Sequence, residues 1–301
     1  MLLDCVIVGG GPAGLNAALV LGRARRNVLL FDNNKPRNAV THESHGFLTR
    51  DGVKPEQFRR IAHEEIMKYP SVRMKQATVT DIRHHGGGFE ITAQSGERAA
   101  ARKLILATGL REEFPPIAGF TQFYGRSLFN CPYCDGWELR DRPLVVVSEG
   151  ANLFHSAMLI YNWSRNLLLC TNGRAVLSFD QKQALERKGL LVIEQPIAAF
   201  EGTDGQLEKV RFQDGSAVAR AGGFVTPHWI QAAPFGARLG CATSELGGFV
   251  TDAFGRTNVK GVYAAGDTSV VAPSQLVIAA AEGSRAAIGV NGDLSFEEYT
   301  Y

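Results

Sequence analysis

The sequence predicts an α/β fold, and three observations support this prediction. An apolar run rich in β-branched residues, Leu2 to Val8, leads into a glycine-rich turn and then into helix-forming residues, the order strand, turn, helix. A second apolar run, Leu144 to Val147, is typical of another buried strand in the middle of the chain. The 301 residues are 45% hydrophobic and include 33 glycines, which is typical of a two-domain α/β protein with many tight turns.

Charge and hydropathy exclude several classes of protein. Thirty-two Lys and Arg against 30 Asp and Glu leave a formal charge of +2, which does not predict a nucleic-acid or membrane surface. No apolar run approaches the roughly 18 residues that span a bilayer. The N-terminus runs directly into a strand and leaves no room for a signal peptide. We therefore expect a cytoplasmic protein that contacts neither nucleic acid nor membrane.

The first turn, residues 9 to 14, reads Gly-Gly-Gly-Pro-Ala-Gly and has the GxGxxG spacing of a dinucleotide site. Its glycines allow a tight turn, a close approach of backbone to a pyrophosphate, and close packing of helix on strand. The start of the following helix offers N–H groups to the phosphates. The predicted nucleotide-binding residues of this turn are Gly9, Gly11, Pro12, Ala13 and Gly14.

A carboxylate follows the second strand at the place where a dinucleotide ribose is usually bound. The strand Asn27 to Phe31 ends in Asp32, 18 residues after Gly14. An acidic residue at this distance hydrogen-bonds the adenosine ribose hydroxyls. The sequence therefore predicts that Asp32 contacts the ribose.

The segment Cys131-Pro132-Tyr133-Cys134, followed by Asp135-Gly136, is the most informative part of the chain. Two cysteines at this spacing can form a redox pair, hold half of a zinc site, or pack as small buried side chains. A zinc site needs two further ligands, and no other cysteine or histidine pair has the required spacing. We interpret the pair as redox-active and expect no metal. The remaining cysteines are interpreted as core residues: Cys5, Cys170 and Cys241.

Two further segments resemble motifs of flavoproteins with two dinucleotide domains. The predicted strand Lys103 to Ala107 ends in Thr108-Gly109, which is similar to the "ATG" turn of these proteins. The segment Gly261 to Asp267, Gly-Val-Tyr-Ala-Ala-Gly-Asp, resembles their second flavin motif, which delivers an aspartate to the ribityl chain. A helix predicted over Gln275 to Ala287 would direct its positive N-terminus at the flavin.

The combined order of these motifs resembles the low-molecular-weight thioredoxin reductase family over nearly the whole chain. The resemblance implies FAD, a homodimer, and two Rossmann-like domains of which the second is inserted in the first. The FAD domain is expected at 1–113 and 231–301, and the inserted domain, with the CxxC, at 114–230. Phe114 to Ile117 and Gly222-Gly223 resemble the two linkers. The cofactor-binding residues implied in addition are Asn38, Thr108, Gly109, Gly266, Asp267, Gln275 and Leu276.

The inserted domain departs from the family where NADPH is expected to bind. After the strand Leu144 to Val147, the glycine turn is replaced by residues 148 to 153, Ser-Glu-Gly-Ala-Asn-Leu, which place a carboxylate beside the expected pyrophosphate. The next strand is followed by Thr171-Asn172-Gly173 and the lone Arg174 instead of an arginine cluster. We infer that NADPH binding is lost, the alternative being a drifted but working site. The chain resembles the branches of the family that use ferredoxin or a second flavin, or that oxidise dithiols of natural products.

The resemblance assigns roles to the residues around the cysteine pair. Cys134 faces the flavin, Cys131 faces outward to exchange with substrate sulfur, and Asp135 protonates the departing thiolate. Asp135 could instead be a helix cap or turn residue. His45 is a candidate for proton transfer, with a polar surface histidine as the alternative.

The C-terminal segment is rich in aromatic residues, and we expect Tyr301 or Tyr299 to cover the face of the flavin that no nicotinamide occupies. A frayed terminus is the alternative. The sequence as a whole predicts an FAD-dependent disulfide or dithiol oxidoreductase that acts on a thioredoxin-like protein or a small dithiol. The competing hypotheses are an NADPH-dependent thioredoxin reductase, an oxygen-dependent dithiol oxidase, and a flavin-binding redox sensor without turnover.

Overall fold

The computed structural model describes residues 2 to 300. The chain divides into two compact units. The first unit comprises Met1–Ala39, Gly46–Arg111 and Trp229–Tyr301, and the second comprises Val40–His45 and Glu112–His228. The short segment Val40–His45 belongs to the second unit, whereas the sequence expectation placed it in the first.

Seventeen strands and eight helices are found among residues 2 to 300, together with two single turns of 3-10 helix at Arg37–Val40 and Gly266–Thr268. The strands are β1 (Leu3–Val8), β2 (Val28–Asp32), β3 (Val72–Gln76), β4 (Val79–His85), β5 (Gly88–Ala93), β6 (Arg98–Leu106), β7 (Leu110–Glu113), β8 (Leu128–Phe129), β9 (Leu144–Val147), β10 (Leu167–Cys170), β11 (Leu191–Ile193), β12 (Ile197–Thr203), β13 (Gln206–Phe212), β14 (Ala217–Ala219), β15 (Gly223–Val225), β16 (His228–Gln231) and β17 (Val262–Ala264). The helices are α1 (Pro12–Arg23), α2 (Pro55–Ile66), α3 (Phe120–Phe123), α4 (Pro132–Asp135), α5 (Leu153–Ile160), α6 (Phe179–Arg187), α7 (Phe235–Leu239) and α8 (Leu276–Thr300).

The first unit is built on a seven-stranded sheet in the order β3-β2-β1-β6-β5-β4, with β17 also paired to β6. The strands β3, β2, β1, β6 and β17 run parallel, and β4, β5 and β6 form an antiparallel meander. One face packs against α1 and α8 through a cluster that includes Ile7, Leu21 and Val290. The central strands are buried on both faces, which explains why β1 and β2 are continuous apolar runs.

The second unit has its own parallel sheet, in the order β11-β10-β9-β15-β8, and a separate antiparallel sheet of β12, β13 and β14. Apolar clusters around Val145 and around Leu144 pack on the two sides of β9. The α/β class with parallel sheets that the sequence predicts is confirmed. The carboxyl ends of β9 and β10 lie side by side, as expected of a Rossmann-like unit.

The positions of the linkers were predicted wrongly. The two chain segments that join the units pair as β7 and β16, before Phe114 and after Gly222-Gly223. Gly223 instead begins β15, a buried strand that lies between β9 and β8 in the second sheet. Its ideal Cβ would lie 2.0 Å from the Val145 carbonyl oxygen, so glycine is needed there for strand packing and not for a flexible linker.

The helix predicted over Gln275 to Ala287 continues to Thr300 and is 25 residues long. Packing beyond Ala287 accounts for the extension, because Val290 and Leu294 are buried in the apolar cluster that also contains Leu21 of α1. Its last turns are held by hydrogen bonds from the Arg26 guanidinium to Ser295 and Glu298. Tertiary packing therefore determines the length of this helix, which the local pattern underestimated.

Candidate redox site

The first glycine turn leaves space for a pyrophosphate. Gly9 has a φ of +115°, and an ideal Cβ there would lie 2.1 Å from the Ala107 carbonyl oxygen. At Gly14 the Cβ would lie 1.8 Å from the Gly9 carbonyl oxygen. An ideal Cβ at Gly11 has no atom within 4 Å, so the space beside the start of α1 is open. Two glycines are thus required by the protein itself, and the third faces room for a ligand. These residues fit a dinucleotide.

The carboxylate of Asp32 lies beside this turn, as the sequence predicts, but it has protein partners. It is buried and accepts hydrogen bonds from the Arg59 guanidinium and, at 2.9 Å, from the Asn34 N–H. An ideal Cβ on Gly10 would lie 2.3 Å from Asp32 Cγ, which shows how closely the carboxylate approaches the turn. Arg59, on α2, balances the charge of Asp32. No sequence motif identifies Arg59. It is one of several charged residues on a surface helix, and the sequence alone does not distinguish it from the others.

Segments distant in sequence converge on the start of α1. Gly266 has a φ of +75°, and its ideal Cβ would lie 2.8 Å from the Ala13 Cβ. The hydroxyls of Thr108 and Thr268 are 3.2 Å apart. The predicted residues of the glycine turn, the "ATG" turn and the second flavin motif are therefore brought together in the first unit.

Asp267 is held by two side chains from other segments. Its Oδ2 accepts hydrogen bonds from Arg37 Nη2 at 2.9 Å and from the Ser274 hydroxyl at 2.8 Å. Arg37 precedes the predicted Asn38 in the same 3-10 turn and was not among the predicted site residues. Gln275 lies at the beginning of α8, where its carbonyl accepts the Ala279 N–H at 2.9 Å.

The expected cover of the flavin by the C-terminal tyrosines is not supported at Tyr299. Leu276 and Tyr299 lie at opposite ends of α8, roughly 35 Å apart at 1.5 Å per residue. The side chain of Tyr299 is 95% exposed. Tyr299 therefore cannot reach the first turn of its own α8, where the flavin was expected. Tyr301 lies outside the described residues.

The cysteine pair Cys131–Cys134 forms a disulfide with an S–S distance of 2.06 Å. Cys131 is the N-cap of the one-turn helix α4, and its Sγ accepts the Cys134 N–H at 3.2 Å. The helix begins within the motif, because Pro132 suits the first helical position. Both cysteines are half-buried residues.

Asp135 lies next to the disulfide in an environment that favours its protonated form. Burial, and to a smaller extent the charge of Glu138, raise the pKa of its carboxyl from 3.8 to about 7. A carboxyl with such a pKa can donate a proton near neutral pH. The environment of Asp135 therefore suits the role of an acid, which was not evident for a residue that precedes a glycine.

His45 lies in the same unit as the cysteine pair. Its Nε2 is 3.8 Å from a carboxylate oxygen of Glu138 and 3.8 Å from one of Glu43. Glu138 thus interacts electrostatically with both predicted proton-transfer residues, and it was not among the predicted site residues. No sequence motif marks Glu138, which lies in the turns that follow α4.

Exposed aromatic rings flank the disulfide. The Tyr133 and Trp137 side chains are 58% and 66% exposed. The Arg140 guanidinium lies 4.0 Å from the Trp137 ring centroid, and Tyr133 contacts Trp163 edge to face at 5.5 Å. Exposed aromatic and arginine side chains at one place are typical of binding surfaces.

The second turn, after β9, is closed by its own side chains. The Ser148 hydroxyl donates to Asn152 Oδ1 at 2.7 Å and accepts the Gly150 N–H at 3.3 Å. Glu149 Oε1 accepts Asn172 Nδ2 at 2.6 Å and so bridges the ends of β9 and β10. The Gly150 N–H is therefore already bonded, and the same turn carries a carboxylate, which is unfavourable for a phosphate.

The remaining candidates carry no chemistry in this structure. Cys5, Cys170 and Cys241 are buried, and burial raises the pKa of each thiol, to about 12 for Cys170. Among residues 2 to 300, no three side chains of His, Cys, Asp or Glu converge as metal ligands. Over the same residues, no helix combines the length and apolar character needed to cross a membrane.

The first unit contains a dinucleotide-binding turn, and the second contains a CxxC disulfide. These two features together define the class of flavin-dependent disulfide oxidoreductases. Residues 3 to 283 match the pyridine nucleotide-disulphide oxidoreductases, and the chain belongs to this family. Its relatives in the family bind FAD, and the chain is an FAD-dependent, thioredoxin reductase-like oxidoreductase.

The similarity extends over the full length of known proteins. Thioredoxin reductase aclD of Aspergillus oryzae is 33% identical over 312 residues, which cover 99% of this chain and 98% of that protein. TrxB of Bacillus anthracis, provisionally named a thioredoxin reductase, is 47% identical in sequence. Its structure aligns with a TM-score of 0.94 over 98% of this chain and 99% of that one. An oxidoreductase from Agrobacterium tumefaciens is 34% identical with a TM-score of 0.92, over 98% and 99% of the two chains.

Proposed function

We propose that this FAD-dependent oxidoreductase exchanges electrons between the Cys131–Cys134 disulfide and a thiol partner without using NADPH. The observation that carries the proposal is the closed second turn, in which Glu149 bonds Asn172 at 2.6 Å and Ser148 bonds the Gly150 N–H at 3.3 Å. A dinucleotide phosphate would have to break these contacts and lie beside the Glu149 carboxylate. The first turn has no such obstruction, because the space next to Gly11 is open.

The chemistry at the disulfide follows from thiol–disulfide exchange. A substrate thiolate attacks one sulfur, for which we propose Cys131, forms a mixed disulfide and releases the second sulfur as a thiolate. Asp135, with a pKa raised to about 7, donates the proton that this leaving thiolate takes up. The second substrate thiol then displaces Cys131, which leaves an oxidised substrate and two reduced cysteines. Bound FAD supplies the two-electron chemistry that reoxidises or reduces the pair.

We propose that the thiol partner is a thioredoxin-like protein or a small dithiol that docks on Tyr133 and Trp137. The partner must place its sulfur at the disulfide, and these two rings are the large exposed apolar groups within three residues of it. The stacking of Arg140 on Trp137 at 4.0 Å offers the same surface a positive charge.

Because NADPH binding is proposed to be lost, the enzyme needs another electron partner. We propose oxygen, a ferredoxin or a second flavin in its place, and a cytoplasmic homodimer as the working form. We further propose that the unit containing Met1–Ala39, Gly46–Arg111 and Trp229–Tyr301 is the FAD-binding domain. In that assignment Asn38, Gln275 and Leu276 contact the cofactor.

The test is an anaerobic titration of the purified yellow protein. NADPH in excess should leave the flavin absorbance unchanged over minutes, whereas a small dithiol such as dithiothreitol should bleach it. The double variant C131S/C134S is the matched control: dithionite should still bleach it, but the dithiol should not. Rapid bleaching of the wild-type protein by NADPH would show that the second turn binds the nucleotide and would refute the proposal.

Exposure of the reduced protein to air distinguishes between the proposed electron partners. If readmitted oxygen restores the yellow colour with release of one peroxide per dithiol oxidised, oxygen accepts the electrons and the enzyme is a dithiol oxidase. A reduced protein that is stable in air indicates a protein or flavin partner, and electron donation by ferredoxin can then be tested by adding reduced ferredoxin to the oxidised protein.

A further inference from the structure

We propose that Arg37 is a positioning residue for the flavin: it holds the Asp267 carboxylate in place and compensates its charge, and thereby raises both the affinity for FAD and the reduction potential of the bound flavin. The proposal uses the FAD binding of the family. It does not depend on whether NADPH is a substrate.

The contacts of Arg37 form a closed triangle. Its Nη2 donates to Asp267 Oδ2 at 2.9 Å and to the Ser274 hydroxyl at 2.6 Å, and Ser274 donates to the same Asp267 oxygen at 2.8 Å. The Arg37 and Asp267 side chains are 28% and 18% exposed. A charge-assisted hydrogen bond that is largely shielded from water contributes more than an exposed pair.

A fourth residue fixes the plane of the guanidinium. The Trp229 ring centroid lies 5.0 Å from the Arg37 Cζ, within the range of a cation–π contact. A planar guanidinium can donate to two acceptors at its edge while its face lies on a ring, and an ammonium group cannot do this in the same way. The arrangement therefore selects arginine and not merely a positive charge.

The location of the triangle connects it to the cofactor. Asp267 follows Gly266, whose ideal Cβ would lie 2.8 Å from Ala13 at the start of α1. Ser274 lies two residues before α8, the 25-residue helix whose N-terminus is also at this place. The triangle thus joins the segment after β2, the second flavin motif and the start of α8.

The sign of the electrostatic effect follows from the charges that surround the flavin. A carboxylate without compensation near the flavin disfavours the reduced anionic form, whereas a helix N-terminus favours it. With Arg37 in place the charge of Asp267 is offset, and the helix field remains. Removal of the guanidinium should therefore make the flavin harder to reduce, which lowers its potential.

Three variants test this proposal. Arg37→Ala should bind FAD at least tenfold more weakly, measured by quenching of flavin fluorescence on titration of the apoprotein. Its flavin potential, measured by equilibration with a reference dye, should be more negative, by roughly 30 mV if the redox equilibrium shifts tenfold in a two-electron couple. Arg37→Lys keeps the charge and should retain most of the potential but lose affinity. Lys35→Ala, which removes an exposed charge two residues away, should match the wild type in both measurements.

A second comparison covers the case in which Arg37→Ala purifies without flavin. Arg37→Gln keeps a hydrogen-bond donor but no charge, so its potential should be lower than that of Arg37→Lys. Equal potentials in the Gln variant, the Lys variant and the wild type would overturn the proposal. So would an Arg37→Ala protein with wild-type affinity and potential.

Discussion

At the scale of single residues, the environment of Asp135 supports its proposed role as the acid at the disulfide. Its carboxyl has a pKa of about 7, so it is protonated below that pH and loses the proton as the pH rises through it. A proton donor is therefore available to the leaving thiolate mainly below about pH 7. The rate of dithiol oxidation, corrected for the thiolate fraction of the substrate itself, should fall above that pH.

We predict that Asp135→Asn abolishes this pH dependence and lowers the corrected rate below pH 7 roughly 100-fold, the usual contribution of a positioned acid. Stopped-flow bleaching of the flavin by a dithiol, recorded from about pH 5 to about pH 9, measures both effects. Persistence of the wild-type inflection in this variant would assign the titration to another group.

The neighbouring carboxylate provides a matched control. The charge of Glu138 helps to raise the pKa of Asp135, although burial is the larger cause. Glu138→Gln should therefore move the inflection to lower pH without removing it. A shift to higher pH would contradict the proposed electrostatic origin.

The two cysteines should differ in reactivity once they are reduced. The Sγ of Cys131 accepts the backbone N–H of residue 134 at 3.2 Å at the start of α4, and this contact favours its thiolate form. In the single variants, Cys131 in C134S should react with iodoacetamide about tenfold faster at neutral pH than Cys134 in C131S, because the thiolate is the reactive form. Mass spectrometry of the alkylated protein over time measures the two rates. Faster reaction of Cys134 would reverse the proposed roles of the two sulfurs.

At the scale of elements, the first strand–turn–helix unit could be predicted because its requirements are local. Gly9 must adopt a positive φ and Gly14 must let α1 pack on β1, and both needs are visible in the GxGxxG spacing. The role of Gly222-Gly223 could not be recognised, since a glycine pair is compatible with a flexible connection and with a tightly packed strand. Only the approach of Val145 to Gly223 decides between these interpretations.

The glycine turn allows the role of protein packing to be separated from the role of the ligand. Gly14→Ala places a Cβ 1.8 Å from the Gly9 carbonyl oxygen and should lower the free energy of unfolding by about 1–3 kcal/mol, because α1 must move. Gly11→Ala meets no atom within 4 Å and should change stability by less than about 1 kcal/mol.

The two glycine variants should differ in FAD content in a way that their free energies of unfolding do not explain. Gly11→Ala should purify folded but with little FAD, because its methyl group occupies the space of the pyrophosphate. Urea unfolding of the apoproteins and the ratio of flavin to protein in the purified samples measure the two effects. Full FAD occupancy in Gly11→Ala would place the pyrophosphate elsewhere.

At the scale of the whole molecule, sequence motifs revealed the cofactor and the reactive sulfurs but not the residues that hold them. Asp32 was identified from its spacing to the glycine turn and Asp267 from its resemblance to a flavin motif. Their partners Arg59 and Arg37 come from distant segments with no motif of their own. Such partners are selected by tertiary proximity, which a single sequence does not encode in a recognisable pattern. The same holds for Val40–His45, which belongs to the second unit although it lies 67 residues before Glu112.

The pairing of β7 with β16 predicts that the two units can be separated. The chain leaves the first unit at Arg111 and returns at Trp229, on neighbouring strands roughly 5 Å apart, and the Ala232 N–H still bonds the Gly109 carbonyl within the first unit at 3.1 Å. Replacing residues 112–228 by a short Gly/Ser turn should therefore leave the seven-stranded sheet and its two apolar faces intact.

We expect the shortened protein to be yellow, to unfold cooperatively in urea, and to be bleached by dithionite but not by a dithiol, because it keeps the glycine turns and lacks Cys131 and Cys134. The excised segment 112–228, with its own two apolar clusters, should be colourless and should contain one disulfide by thiol titration. Flavin absorbance, urea unfolding and thiol titration of the two proteins measure these outcomes. A shortened protein that folds without flavin would show that the second unit contributes to the FAD site, and a yellow excised segment would place the cofactor there.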